Sequence, residues 1–166
     1  LYVLGRRQDG YHDLQTLFQL IETGDTMTFS KNSSGEIRLS GDNAVIPKDE
    51  NLIFKAAKEV HQPGLGVDIT FKKNIPIGAG LGGGSSNAAS TLIVLNHLWD
   101  LGLNKIELAK IGSKLGADIP VFVLGKSALA TGRGDKLAPV DIPPRWYVVI
   151  FPNCHVNTGQ IFSREE

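Results

Sequence analysis

Between Asn74 and Ser90 the chain reads NIPIGAGLGGGSSNAAS, five glycines followed at once by two serines and a run of small residues. Glycine loses more freedom on folding than any other residue, so this density marks backbone that needs unusual dihedrals or lies close against a ligand. Placed ahead of a helix, such a segment leaves several N–H groups without intrahelical partners at the positive end of the helix dipole. The chemistry of that arrangement is anion binding, most often of phosphate. A tight turn with Ser85 as an ordinary N-cap is the bland alternative; one glycine would favour it and this density does not. A second candidate is Asp118, in LGADIPVF at 115–122. An aspartate after a helix-ending glycine is ordinarily a solvated or capping residue. Here Ile119-Pro120-Val121-Phe122 follows at once and reads as a buried strand, which puts the carboxylate at the edge of the core, where a partner can orient it.

Three common phosphate loops do not fit. Gly78, Gly80 and Gly83 satisfy G-x-G-x-x-G, with Asp100 near the distance of a ribose-binding acid, but that fingerprint needs a strand after the helix and a second capped helix follows instead. A Walker A loop needs a lysine directly before Ser85 or Ser86, and none is there. The protein-kinase loop runs into a strand and is accompanied by HRD and DFG elements, which are absent.

The elements that must position these residues follow from composition and period. LYVLG at the start, LQTLFQLI at 14–21, TMTF at 26–29, EIRLS at 36–40 and VDITF at 67–71 are rich in β-branched and aromatic types and read as strands of a mostly antiparallel sheet, separated by NSSG and GDN loops. Apolar residues at 52, 53, 56, 57 and 60 follow the helical period between Asp49 and His61. A long helix is expected from about Ser85 to Leu101. A second opens at Asn104, whose N-x-x-E spacing to Glu107 is a capping-box variant, and closes at Gly116. Strands are expected again at VFVL (121–124), SALAT (127–131) and WYVVIF (146–151), with PPR as a turn.

Composition sets the limits. The 166 residues, 42% hydrophobic, suit one compact unit or one large domain plus part of another, with a real core in either case. Lys+Arg and Asp+Glu balance at 17 each, so no overall field points to nucleic acid or an anionic membrane. Cys154 is the only cysteine, which excludes an internal disulfide, and four scattered histidines make no zinc pattern. No run approaches a membrane span and no signal peptide is visible, so a soluble protein is expected. Opening inside LYVLG and stopping at SREE, the chain reads as a piece of a longer protein.

P-x-G-x-G-L-G followed by small residues and serines resembles the second motif of the GHMP kinases, whose loop wraps the phosphates of ATP at a helix start without a Walker lysine. The residues carrying it are Pro76, Ile77, Gly78, Ala79, Gly80, Leu81, Gly82, Gly83, Gly84, Ser85 and Ser86. Five ordered blocks sharpen the likeness: R-x-D-G-Y-H at 7–12, the HDLQTLFQLI run to residue 21, NLIFKAA at 51–57, GLGGGSSNAA at 80–89 and LGADIPVF. Together they are similar to the GHMP kinases of the non-mevalonate isoprenoid pathway, which phosphorylate a hydroxyl on the methylerythritol part of a cytidine diphosphate derivative.

The resemblance implies an α+β fold, two-layer α/β, in which residues 1–150 form an N-terminal ATP-binding lobe with a left-handed βαβ crossover and 151–166 begin a C-terminal lobe. It implies ATP and Mg2+ as cofactors and Asp118 as base toward the substrate hydroxyl. Tyr11 and Phe162 match positions that sandwich the cytosine, His12 the one that bonds its edge, and Asn51 and Lys73 positions beside the base and phosphates of ATP. The partners implied are small molecules, not nucleic acid or membrane, in a bacterial cytoplasm, or a plastid stroma in a plant. Two family features have no counterpart in this sequence: a lysine in P-x-K-x-N-L ahead of LYVLG, and a third glycine-rich motif. A homoserine- or mevalonate-type kinase and a nucleotide-binding unit without catalysis are the other readings. A side chain at Gly82 or Gly83 is expected to fill the space of a phosphate while sparing the fold.

Overall fold

The computed structural model describes residues 1–8, 10, 12–41 and 46–152. In chain order the elements are β1 (Tyr2–Arg6), β2 (His12–Phe18), β3 (Thr26–Asn32), β4 (Ile37–Gly41), α1 (Leu52–Val60), β5 (Gly66–Lys72), α2 (Gly83–Leu98), α3 (Lys105–Leu115), α4 (Ile119–Leu124), β6 (Ala128–Gly132) and β7 (Lys136–Pro139). A 3-10 turn, Lys48–Glu50, leads into α1. The class is the α+β expected, but the strands divide into two sheets rather than one. One, in the order β1-β2-β6-β7, is antiparallel throughout; the other, β3-β5-β4, pairs β3 with β5 antiparallel and β4 with β5 parallel. The parallel pair is possible because α1 lies between its strands in sequence and carries the chain back.

The core forms where α1, α2 and α4 meet the β3-β5-β4 sheet. Ile53, Ala56 and Ala57 of α1, Val67 and Ile69 of β5, Ala88, Ala89, Leu92 and Leu95 of α2, and Ile119 and Val123 of α4 are almost fully excluded from water. Each helix has identifiable ends. The Asn51 side chain accepts the N–H of Ile53 (2.9 Å) at the start of α1. At α3 the expected capping box is complete: Asn104 accepts from Ile106 (2.9 Å) and Glu107 (3.1 Å), and the Glu107 carboxylate accepts the Asn104 N–H (2.8 Å).

Several expectations need correction. VFVL is not a strand but the body of α4. Pro120 stands in the first turn, where its missing N–H costs nothing, and Gly125 closes the helix at φ 71° with its N–H on Val121 O (3.0 Å). The run is short and apolar all round, so period alone could not distinguish helix from strand. WYVVIF forms no strand; Trp146, Val148 and Ile150 stand almost fully exposed. Helix α2 begins at Gly83 rather than Ser85 and ends at Leu98. Strand β7 had no expectation, since KLAP carries little strand character and is recruited by the Gly132–Asp135 turn that folds it onto β6. Among the described residues no helix is long and apolar enough to cross a membrane.

Candidate functional site

The glycine segment leaves β5 and ends in α2. Gly78, Gly80 and Gly82 all adopt positive φ, 74°, 71° and 67°. Alternation of this kind turns successive N–H groups to one side and makes anion-binding concavities. Gly82 is the N-cap and has no side chain to offer, so no side chain caps α2; its carbonyl accepts the first helical bond, from Ser86 N–H (2.8 Å). The first-turn N–H groups belong to Gly83, Gly84 and Ser85, which with the rest of the loop line a cavity of about 370 Å3. Every residue expected at ATP lines it except Ser86: Asn51, Lys73 and the whole run 76–85. Leu52, Ile53 and Phe71 supply an apolar floor.

Ser86 faces a second cavity, of about 420 Å3, on the other side of the same loop. Gly80, Leu81, Gly82 and Gly83 line both cavities, so they are a shared wall. The second cavity is also lined by Phe18 at the end of β2 and residues 19–25 after it, by Ile75, by Asn87 and Ser90 of α2, and by Asp118 with Val121 and Phe122 of α4. Asp118 occupies the N-cap position of α4 but makes no capping bond, so its carboxylate is not spent on the helix. The side chain opens to the cleft, yet desolvation by the surrounding walls raises its pKa above 3.8, the ordinary value. A carboxylate so raised is a stronger base than one in bulk water.

The shared wall fits closely. A Cβ added at Gly82 would stand 2.9 Å from the Phe122 ring of α4, and one at Gly83 would stand 2.9 Å from Ile75 Cγ2. A side chain there meets protein, so the expectation that it spares the fold is corrected.

Sequence reasoning missed Asp25. Its side chain is 1% exposed, and it gathers four donors. Oδ1 accepts the N–H of Asn74 (2.7 Å) and of Ile75 (2.9 Å); Oδ2 accepts the Asn87 amide (2.8 Å) and the Lys73 ammonium. Burial pushes the carboxyl up, but the Ile75 N–H, Lys73, the Asn74 N–H and Asn87 outweigh it, and the pKa lies below 3.8. The register explains the pairing. Thr26 stands opposite Lys72 on β3 and β5, so the next residues outward, Asp25 and Lys73, face each other. No single-sequence signal carries that register. Lys73 is thus held by Asp25 rather than standing free at the phosphate cavity.

The cytosine-binding expectations are not brought to either cavity. Tyr11 and Phe162 lie outside the described residues, as does all of the expected second-lobe segment after Pro152. His12 opens β2 opposite Arg6 and lines neither cavity. Among the described residues no group of three or more His, Cys, Asp or Glu could hold a metal.

Comparison with known proteins agrees with the loop. Residues 51–126 match the family described as GHMP kinases N terminal domain. A 4-diphosphocytidyl-2-C-methyl-D-erythritol kinase of Methylococcus capsulatus is 51% identical over 98% of this chain and 57% of that protein. One of Pseudomonas aeruginosa is 50% identical over 98% of this chain and 59% of its own length. The chain thus spans less than two thirds of the curated relatives it matches. A solved 4-(cytidine 5'-diphospho)-2C-methyl-D-erythritol kinase superposes with a TM-score of 0.78 at 38% identity, covering 96% of this chain and 58% of that one. A homoserine kinase from Cytophaga hutchinsonii shares the fold at a TM-score of 0.55 and 18% identity, over 80% of this chain and 45% of its own. The glycine loop and the α+β architecture agree with that match: over residues 51–126 the chain carries the domain described as GHMP kinases N terminal domain.

Proposed function

We propose that this chain is the nucleotide-binding part of a kinase that transfers the γ-phosphoryl group of ATP to a hydroxyl of 4-diphosphocytidyl-2-C-methyl-D-erythritol, in the non-mevalonate route to isoprenoids. The observation that carries the reading is the shared wall: a phosphate-type loop with one cavity on its far side and a raised carboxylate, Asp118, in the cavity on its near side. ATP occupies the first cavity with its base on the apolar floor near Asn51 and its phosphates along 76–86. The acceptor occupies the second. Its hydroxyl oxygen bonds to the γ-phosphorus as the bond to the β,γ-bridging oxygen breaks; Asp118 takes the hydroxyl proton and ADP leaves. Phosphoryl transfer asks for this positioning and charge stabilisation more than for covalent help. Mg2+ supplies charge neutralisation to bridged phosphates.

Residues 1–150 form the ATP lobe and 151–166 lead into a second one. Tyr11 and Phe162 stack on the cytosine and His12 bonds its edge. The names of the half-identical relatives support the substrate. The setting is the cytoplasm of a bacterium. The test is ADP release by the full gene product with that alcohol, homoserine and mevalonate in parallel, with 31P NMR of the product. A new phosphomonoester on the cytidine diphosphate derivative is expected. Phosphorylation of homoserine or mevalonate in its place refutes the substrate, and ATP binding with no transfer to any of them refutes the kinase reading.

A further inference from the structure

The wall between the cavities has a support that the reaction scheme leaves unused. Asp25 lines the second cavity and Lys73 the first, while Asn87 lines both. The Asp25 carboxylate ties three elements together: the start of β3, the 73–75 exit from β5, and the second turn of α2 through Asn87. Asn74 closes the joint by donating its amide to Gly24 O (2.9 Å). Lys73 Nζ lies where a Cβ on Gly83 would be only 3.2 Å away, against the first turn of α2. An ammonium has three donors and this one spends one on Asp25, which leaves the others for an anion at the loop. Its side chain is 14% exposed, enough to be reached from the cavity but not to swing freely.

We propose that Asp25 is a positioning residue for the nucleotide's phosphates: it holds the Lys73 ammonium at the mouth of α2 and locks the shared wall through Asn87. This rests on ATP occupying the first cavity. The Asp25 oxygens are taken by the Asn74 and Ile75 N–H groups, the Asn87 amide and Lys73, so it acts on the phosphates through Lys73 and the loop. Without it, the ammonium would leave the wall for water.

The experiment compares ATP with adenosine, which carries the base but no phosphate, by calorimetric titration of the full gene product. Asp25→Asn keeps the shape and leaves Oδ1 to the Asn74 and Ile75 N–H groups, but it puts an amide nitrogen before Lys73 and Asn87. ATP affinity should fall roughly ten- to a hundredfold, the scale of a charge-assisted hydrogen bond, with adenosine affinity unchanged. Lys73→Met should show the same selective loss, and the double variant no further loss. Should Asp25→Asn not fold, Asp25→Glu replaces it. It keeps the charge but displaces the ammonium by a methylene, and the ATP-to-adenosine ratio should again fall. A folded variant with the wild-type ratio makes Asp25 a fold anchor only and overturns the proposal. A wild type that does not prefer ATP to adenosine overturns the nucleotide reading itself, and this role with it.

Discussion

Replacing Asp118 by Asn separates a base from a structural cap. In the reaction scheme Asn keeps the shape and loses the proton acceptor, so turnover of the full gene product should fall by about two to four orders of magnitude. That corresponds to roughly 3–5 kcal/mol of barrier. ATP affinity should hold, because Asp118 is in the second cavity and makes no part of the first. Stability should move the other way. The folded carboxyl is raised above 3.8 by desolvation, so its contribution is favourable below the unfolded pKa and is lost as pH rises through the folded one. At neutral pH the ionised group is a liability to the fold, and Asn removes it: the melting temperature at pH 7 should be equal to or above wild type, with the difference vanishing below the unfolded pKa. A capping aspartate predicts otherwise. There Asp118→Ala would lose about 0.5–2 kcal/mol, but no capping bond exists to lose. Steady-state kinetics, ATP titration and thermal melts at two pH values complete the assay. Near-normal turnover with a lowered melting temperature would refute the base and restore the cap.

Three further outcomes follow from the same geometry. Gly82→Ala and Gly84→Ala should diverge in urea: the first forces a Cβ to 2.9 Å from the Phe122 ring at φ 67° and should cost about 1–3 kcal/mol, whereas the second meets only Leu52 Cδ1 at 3.5 Å inside a helix and should gain about 0.5–1 kcal/mol. Asn104→Ala breaks the capping box of α3 and should lose about 1 kcal/mol without touching ATP affinity, since Asn104 lines neither cavity. Acid titration followed by circular dichroism should show the Asp25 joint. Its pKa is lowered in the fold, so its stabilisation is present above the unfolded value and is lost as pH falls through the folded one; Asp25→Asn should flatten that limb, and an unchanged limb would count against the joint.

Much of the scaffold was legible because it is written in local signals. The helical period of 52–60, the N-x-x-E box at Asn104 and the glycine density at 78–84 each name their element without reference to the rest of the chain. What escaped depends on partners distant in sequence. VFVL is apolar on every side, and only its ends, Pro120 and Gly125, betray a helix. WYVVIF has the composition of a strand but no neighbour to pair with among the described residues. Asp25 looks like any polar residue before a strand; its role comes from a register that sets it opposite Lys73, 48 positions away. The site follows the same division, with the glycine loop beside the first cavity readable from sequence and the Asp25 carboxylate that holds Lys73 not.

The glycines at 82 and 83 do two things at once, and this limits how the wall can vary. They line cavities on both sides, which the absence of side chains permits, and a Cβ at either would run into Phe122 of α4 or Ile75 beyond β5. Asp118 is the N-cap residue of α4, so the ring that backs the loop and the proposed base ride on one short helix and its cap, itself packed on α2 and α3. A shift of α4 would therefore move base and loop together rather than apart. Interiors at close-packed density transmit such shifts instead of absorbing them. In the proposed reaction, geometry at the transferred phosphoryl group then depends on residues that line neither phosphate nor hydroxyl. Phe122 is the clearest case, because trimming its ring would leave Gly82 unsupported on the side away from the nucleotide.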